Sequence, residues 1–368
     1  MKIGLIVPGF SADERDGCIP ALLNFVRRLA VDHSVHVFAL EYPYRRDCYS
    51  VYDATVHSMN GRNRGKTYAP RLWADTLTAI HTEHRRARFD VLHAFWANEP
   101  GAIAIFAGRA LKLPVIVSVA GGEFIGLRQI NYGGQLHLIE RAMIDWTLRS
   151  ANRVTVGSRY LQAIAARWRN DVCVLPLGVD EQLFSPGDHP KSNGSLTILN
   201  VGSLAPVKNQ IELLHVLAQL NRPEACLEII GSGKLENELR ARARALEITQ
   251  RVTFVGAIPH DGLTTRYRQA DLVVQSSLHE AQGMAILEAA ACGSAIAGTP
   301  VGILPELAAA GGALVADGFQ ADALAAAIET ALLVRDRLGD QARRAVEQNF
   351  SMEQTWNGWT KLYQAQLV

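Results

Sequence analysis

At 368 residues the chain is long for one hydrophobic core, so two domains are expected. Hydrophobic residues at 48% and charged residues at 20% are the balance of a soluble globular protein, and a formal net charge of +1 argues against a dedicated nucleic-acid binder. Cys18, Cys48, Cys173, Cys226 and Cys292 form no C-x-x-C pair, which fits structural thiols in a reducing compartment rather than a zinc site.

The opening "MKIGLIVPGF" is a short apolar run broken by glycine and proline. It is too short for a signal-peptide core or a membrane span and reads as a first strand, and no later run reaches spanning length. Further strands are expected at "VHVFAL", "DVLHAF", "PVIVSVA" and "RVTVGS", with helices at "PALLNFVRRLA", "EPGAIAIFAGRALK" and "QLHLIERAMIDWTLRS". This alternation implies βαβ units and a parallel sheet. Between 61 and 90, "GRNRGKTYAPRLW" and "HRRARFD" supply much of a +4 surplus carried by the first 190 residues; the rest of the chain carries −3. The heavier reading of that patch is a solvated surface; the lighter is a dock for a lipid headgroup or a phosphorylated acceptor.

"SPGDHPKSNGS", residues 185–195, reads as a linker. The alternation then restarts with "LTILNVG", "ACLEIIG", "RVTFVG", "DLVVQSS" and "GSAIAGT". The expected organisation is therefore α/β, with Rossmann-like domains at 1–185 and 196–350 and a last helix, 351–368, returning to the first. Trp356, Trp359 and Tyr363 stand at helical spacing on that helix, more often a packing stripe than a ligand site.

In open parallel sheets ligands bind beyond the carboxyl ends of the strands. In "SSLHEAQGMAILEAAACG", residues 276–293, Glu280 falls in a strand-to-helix loop and Glu288 on the opening turns of the helix. Gly283 lets backbone approach a ligand, and the amides of Met284 and Ala285 form an exposed first turn suited to a diphosphate. Carboxylates beside a phosphate site must bind something else, and hydroxyls are good donors to them, so Glu280 suits a sugar and Glu288 a ribose. In isolation a helix cap and an incidental surface charge explain the pair equally well. In "NVGSLAPVKNQ", residues 200–210, a strand runs into Gly202 and Ser203, and Lys208 lies in the turn, where its long cation reaches toward a phosphate. Backbone around Ile258 in "VGAIPH" suits a base pocket. His93 in "HAFW" ends a strand, where contact with an acceptor and a satisfied structural role weigh about the same.

Taken in order, "VLPLGVDEQLF", "VGSLAPVKNQ", "IIGSGK", "RVTFVGAIPHDGL" and "HEAQGMAILEAAACG" resemble the family 4 (group 1) glycosyltransferases of the GT-B fold, over nearly the whole chain. The resemblance implies two Rossmann-like domains facing across a cleft, with the donor held mainly by the second. It gives the diphosphate to Lys208, the sugar hydroxyls to Glu280, the ribose to Glu288 and phosphate to the amides near Gly283, Met284 and Ala285. It also implies hexosyl transfer with retention from a UDP- or GDP-sugar to a glycan or lipid-linked acceptor, the nucleotide-sugar being a co-substrate and no cofactor being needed. On the first domain it draws attention to Gly121, Gly122 and Glu123 as acceptor-side residues. Three departures stand out. Ser203 occupies the place of a common arginine, Ala120 that of a common histidine, and the usual glycine pair after the first strand is reduced to Gly9 and Gly17.

With no D-x-D triplet, no metal is expected at the donor site. The setting implied is cytoplasmic, with peripheral association at the inner membrane face and glycan or glycolipid assembly. Rival readings are another enzyme of this fold, a nucleotide-sugar epimerase or a phosphorylase, and a non-catalytic protein that keeps the donor pocket.

Overall fold

The computed structural model describes residues 1–61, 69–187 and 195–367. Most of the expected linker and the basic residues Arg62, Arg64 and Lys66 lie outside the described residues. The chain divides into two compact units, one of Met1–Gly157, Leu161–Leu177 and a segment beginning at Trp356, the other of Ser158–Tyr160 and Gly178–Thr355.

In the first unit the strands are β1 (Lys2–Gly9), β2 (Ser34–Tyr42), β3 (Arg46–Val51), β4 (Ala54–Met59), β5 (Val91–Phe95), β6 (Val115–Val119), β7 (Arg153–Val156) and β8 (Cys173–Val174). They form one sheet in the order β3-β4-β2-β1-β5-β6-β7-β8. Every pairing is parallel except the β3–β4 hairpin. β5 and β6 are buried along their whole length, as continuous Val/Leu/Ile runs covered on both faces must be. Phe25, Trp356, Trp359 and Tyr363 belong to one core cluster; Phe25 and Trp359 meet edge to face at 5.0 Å, and the Trp359 indole N–H donates to the Pro176 carbonyl at 3.1 Å. The aromatic stripe of the last helix is packing.

His93 belongs to that packing too. It is fully buried in β5, with Nδ1 2.7 Å from the Tyr363 hydroxyl and Nε2 2.7 Å from the Ser118 hydroxyl. Both ring nitrogens are engaged inside the core, so the acceptor-side expectation for His93 is corrected. Burial lowers its pKa from 6.5 to about 3. Phe25, Phe95, Trp359 and Tyr363 face the ring, and none brings a charge. Between pH 3 and the ordinary histidine value only the unfolded chain takes up this proton, so the stabilisation is complete above about pH 6.5 and declines as pH falls. Urea midpoints measured between pH 7.5 and 5 should fall with this slope, up to about 1.4 kcal/mol per pH unit for one histidine. His93→Gln should flatten it; an unchanged slope in that variant would mean that other groups carry the acid sensitivity.

In the second unit, β9 (Leu196–Val201), β10 (Ala225–Ile230), β11 (Val252–Gly256), β12 (Leu272–Gln275), β13 (Ile296–Gly298) and β14 (Leu314–Val315) form an all-parallel sheet in the order β11-β10-β9-β12-β13-β14. Strand order runs outward in one direction from β9 and in the other from β12. The two loops that leave this switch point are those carrying Lys208 and Glu280. Residues 178–187 pack with this unit rather than with the first. Phe184 and Val179 lie in its core, and Val179 exchanges backbone hydrogen bonds with Phe350 and Met352. The apolar positions of "VLPLGVDEQLF" thus move the boundary upstream of the Pro/Gly/Ser stretch.

Candidate functional site

The loop after β9 turns sharply. Pro206–Lys208 is a short 3-10 turn, Asn209 adopts φ 54°, and the helix Gln210–Gln219 follows. Asparagine tolerates this left-handed conformation better than most residues. The Lys208 side chain folds back toward the strand end, and a Cβ on Gly202 would lie 3.6 Å from its Cε. After β12 the chain makes an open loop to Gly283, whose φ of 96° permits the entry into the helix Met284–Ala291. Ile286 N–H donates to the Gly283 carbonyl, while the amides of Met284 and Ala285 before it point out of the helix start and sum with the helix dipole to favour an anion.

These two loops meet. Lys208 Nζ lies 2.5 Å from Glu280 Oε1, and the Ser277 hydroxyl donates to the same oxygen at 2.7 Å. Lys208 retains 26% and Glu280 14% of side-chain exposure, so the pair stands at the rim of a cavity rather than in the core. Asn200, Lys208, Gln210, Gln275, Glu280 and Gly283 are among its lining residues. Asn200 Nδ2 donates to the Val274 carbonyl and Gln210 Nε2 to the Ser203 carbonyl, which fixes both amides; their oxygens are buried and lack a protein partner. Met284 and Ala285 line the same cavity. It therefore combines a cation, a carboxylate and a helix N-terminus, the equipment to hold an anion joined to a hydroxyl-bearing group. Ser203 is exposed, and its carbonyl is the part used in this loop.

Glu288 lies deeper than a surface position on the opening turns would. It is 6% exposed, with Oε1 2.8 Å from His260 Nε2 and Oε2 accepting the Tyr267 hydroxyl at 2.9 Å. A buried carboxylate needs such partners. Burial and the Glu288 charge together push the Tyr267 phenol well above its ordinary pKa, so it stays a donor. Tyr267→Phe removes one hydrogen bond to a buried charge and should cost about 2 kcal/mol, read as a lower urea midpoint for the second unit. An unchanged midpoint would show that Glu288 finds other partners. Ile258 is half-buried beside His260 and packs against the second unit's core.

In the first unit Glu123 is 3% exposed and accepts from the backbone N–H groups of Ala97, Ala120 and Gly121 at 3.1, 3.3 and 2.8 Å. Burial pushes its carboxyl up while these N–H donors pull it back. Gly121 and Gly122 leave room for the Trp96 indole and the Tyr132 ring, which a Cβ would approach to 2.7 and 2.8 Å. The "AGGEF" segment is thus a loop tied together by its own carboxylate.

His260, Tyr267 and Ser277 escaped the sequence reading. His260 was visible at the end of "VGAIPH"; Tyr267 carries no local signal, since only the packing of one helix on another brings it to Glu288.

A family model for glycosyl transferases group 1 matches residues 182–349, and one for a glycosyl transferase 4-like domain matches residues 16–178. A D-inositol 3-phosphate glycosyltransferase 2 of Catenulispora acidiphila is 34% identical over 305 residues, which cover 75% of this chain and 71% of the relative. The chain belongs to the group 1 glycosyltransferases, family 4, of the GT-B fold. A D-inositol 3-phosphate glycosyltransferase of Segniliparus rotundus is 32% identical over 211 residues, 53% of this chain and 47% of that one; the chain spans about half the length of such curated relatives. Among solved structures, sucrose-phosphate synthase from Thermosynechococcus elongatus superposes with a TM-score of 0.82 at 20% identity, covering 99% of this chain and 98% of that one. Anabaena HepE, solved with UDP and glucose, gives 0.76 at 17% identity, covering 99% and 100%.

Proposed function

We propose that the protein transfers a hexosyl group from a UDP- or GDP-linked sugar to a glycan or glycolipid acceptor, with retention of configuration. The observation that carries this reading is the meeting of Lys208 and Glu280 beside the first turn of Met284–Ala291, at the switch point of a parallel sheet. The donor diphosphate would take Lys208 from Glu280 and rest on the amides of Met284 and Ala285; Glu280, released, would accept from hydroxyls of the sugar. Glu288, held by Tyr267 and His260, would face the ribose, with the backbone around Ile258 beside the base and Gly202 and Ser203 flanking the phosphates.

The difficult step is departure of the diphosphate as charge builds on its oxygens, and fixed N–H groups with a lysine stabilise that charge. HepE, which shares this fold, was solved with UDP and glucose, in keeping with a nucleotide-sugar donor, and the names of the D-inositol 3-phosphate glycosyltransferases and of the alpha-monoglucosyldiacylglycerol synthase of Streptococcus pneumoniae are in keeping with a phosphorylated or lipid acceptor. No helix among the described residues is long and apolar enough to cross a membrane. Lipid-linked acceptors would be met by peripheral association at the inner face of the membrane.

The test is a panel of UDP-, GDP- and ADP-sugars incubated without metal, with nucleoside diphosphate release and calorimetric binding both followed. Release from one donor that is lost in Glu280→Ala and Lys208→Ala supports transfer. Binding without release in the presence of acceptor extracts favours the donor-pocket protein, and conversion of the donor without nucleotide release favours an epimerase. The absence of both binding and release across the panel would overturn the assignment.

A further inference from the structure

Away from the donor cavity, in the first unit, His36 on β2, His57 on β4 and Glu83 on the helix Ala69–Arg86 bring three ligand atoms within 4.8 Å of one another. His36 Nδ1 and His57 Nε2 are 3.1 Å apart, and Glu83 Oε2 is 3.9 Å from His36 Nδ1. The 3.1 Å contact is a hydrogen bond between the two imidazoles; two nitrogens bound to one tetrahedral zinc at about 2.0–2.1 Å stand roughly 3.3 Å apart, so an ion would replace that hydrogen bond with little change in separation, the rings turning toward it. To complete three ligands the carboxylate must close its 3.9 Å distance from His36 Nδ1 to about 3.3 Å, a movement of over half an ångström. His36 and Glu83 keep only 13% and 11% of their side-chain exposure, and His57 stacks on Phe38 at 4.8 Å, which fixes its ring. Cys48 stands directly opposite His57 in the β3–β4 ladder and therefore on the same face of the sheet; it is exposed. Its sulfur is not among the ligand atoms within 4.8 Å of one another, so it would have to rotate in to serve as a fourth donor, on the side from which solvent reaches the cluster.

We propose that His36, His57 and Glu83, with Cys48 as fourth ligand, form a binding site for a divalent cation of the zinc class. The donor set, two imidazoles, a carboxylate and a thiolate, suits zinc or cobalt over calcium or magnesium, and its two negative charges offset those of the ion. Lys2 and Arg86 oppose it. Arg86 holds the other Glu83 oxygen at 2.6 Å, and the Lys2 ammonium donates to the Glu83 and Ala87 carbonyls. Both cations are already committed to protein oxygens, so they weaken the site without blocking it. The spacing of the four residues follows no C-x-x-C or H-x-x-x-H pattern, which is why the sequence pointed away from zinc. An ion here would tie β2, the β3–β4 hairpin and the helix Ala69–Arg86 together at one edge of the sheet, away from the donor chemistry.

The experiment uses the full chain, prepared metal-free by chelation, and titrates it with Co²⁺ and then Zn²⁺. One equivalent of Co²⁺ should give the visible absorption of a four-coordinate site, bleached on adding Zn²⁺. A hundredfold excess of Zn²⁺ over its dissociation constant should raise Tm by roughly 5 °C. His36→Gln and Glu83→Gln should each weaken binding by roughly 100-fold or more, with circular dichroism confirming that both remain folded. Cys48→Ser, at an exposed position, should keep the visible bands and lose the near-ultraviolet thiolate band. Absence of the cobalt spectrum and of the Tm rise in the folded wild type would overturn the site, as would wild-type affinity in both glutamine variants. A near-ultraviolet band unchanged in Cys48→Ser would remove Cys48 from the ligand set.

Discussion

Lys208→Ala is expected to lower kcat/KM for the donor by roughly 100-fold, about 3 kcal/mol of transition-state stabilisation. The loss should fall on kcat as well as on KM, because charge on the diphosphate grows as the bond to the sugar breaks. Ser203 puts no second cation beside Lys208 in the same loop, which is why so large a share is assigned to one residue. Stability should move little. The ion pair with Glu280 is partly exposed, and such pairs contribute about 0–1 kcal/mol; Ser277 still donates to Glu280 in the variant. Lys208→Arg keeps the charge but changes its reach and should recover only part of the rate. Steady-state kinetics alongside thermal melts checks both halves. A large Tm loss with proportionate inactivation would make Lys208 a structural residue and remove it from the chemistry.

Gly231→Ala should be the most damaging single-methyl change in the second unit. The residue after β10 has φ +140°, and a Cβ there would lie 2.0 Å from the Gly202 carbonyl oxygen. The obstacle is backbone, not a side chain that can rotate away. Relief requires the loop after β9 to move, and Gly202 donates its N–H to Ile230 while Leu204 donates to Ser232, so the two loops are laced together. Backbone strain and overpacking together should cost about 4 kcal/mol. Because Gly202–Lys208 is the displaced segment, donor binding should weaken in whatever fraction remains folded. Urea denaturation and calorimetry with UDP measure the two effects; a melting curve close to wild type would mean that the loop has an alternative path. "IIGSGK" was legible as one of the stretches that carry the family resemblance, but nothing in it announced that its partner was the other glycine loop.

That difference in legibility runs through the molecule. Ten strands could be read because they are continuous apolar runs, as the buried strands of parallel sheets must be. β3 was missed because "RDCYSV" at the sheet edge is mostly exposed and alternates weakly, β4 because "ATVHSM" is broken by polar residues, and β8 and β14 because two residues carry no period. At the candidate site, Lys208, Glu280 and Gly283 stood out by their place in strand-to-helix loops. Their mutual contact did not, since it depends on how two loops separated by some seventy residues are brought together by the β9–β12 pairing. His93 looked like a strand-end residue and is a core one; the partner that decides this, Tyr363, is 270 residues away.

The return of the segment beginning at Trp356 to the first unit also constrains the order of events during synthesis. Domains ordinarily fold as they leave the ribosome, N-terminal first. Here Trp359, Tyr363 and their neighbours fill the core around Phe25 and cap His93, yet they follow the entire second unit in the chain. A nascent chain paused at the end of the second unit would hold a finished second unit and an N-terminal half with an open apolar slot. The earlier-made half must therefore wait for the later one, and in the interval chaperones would find their exposed surface on the portion translated first.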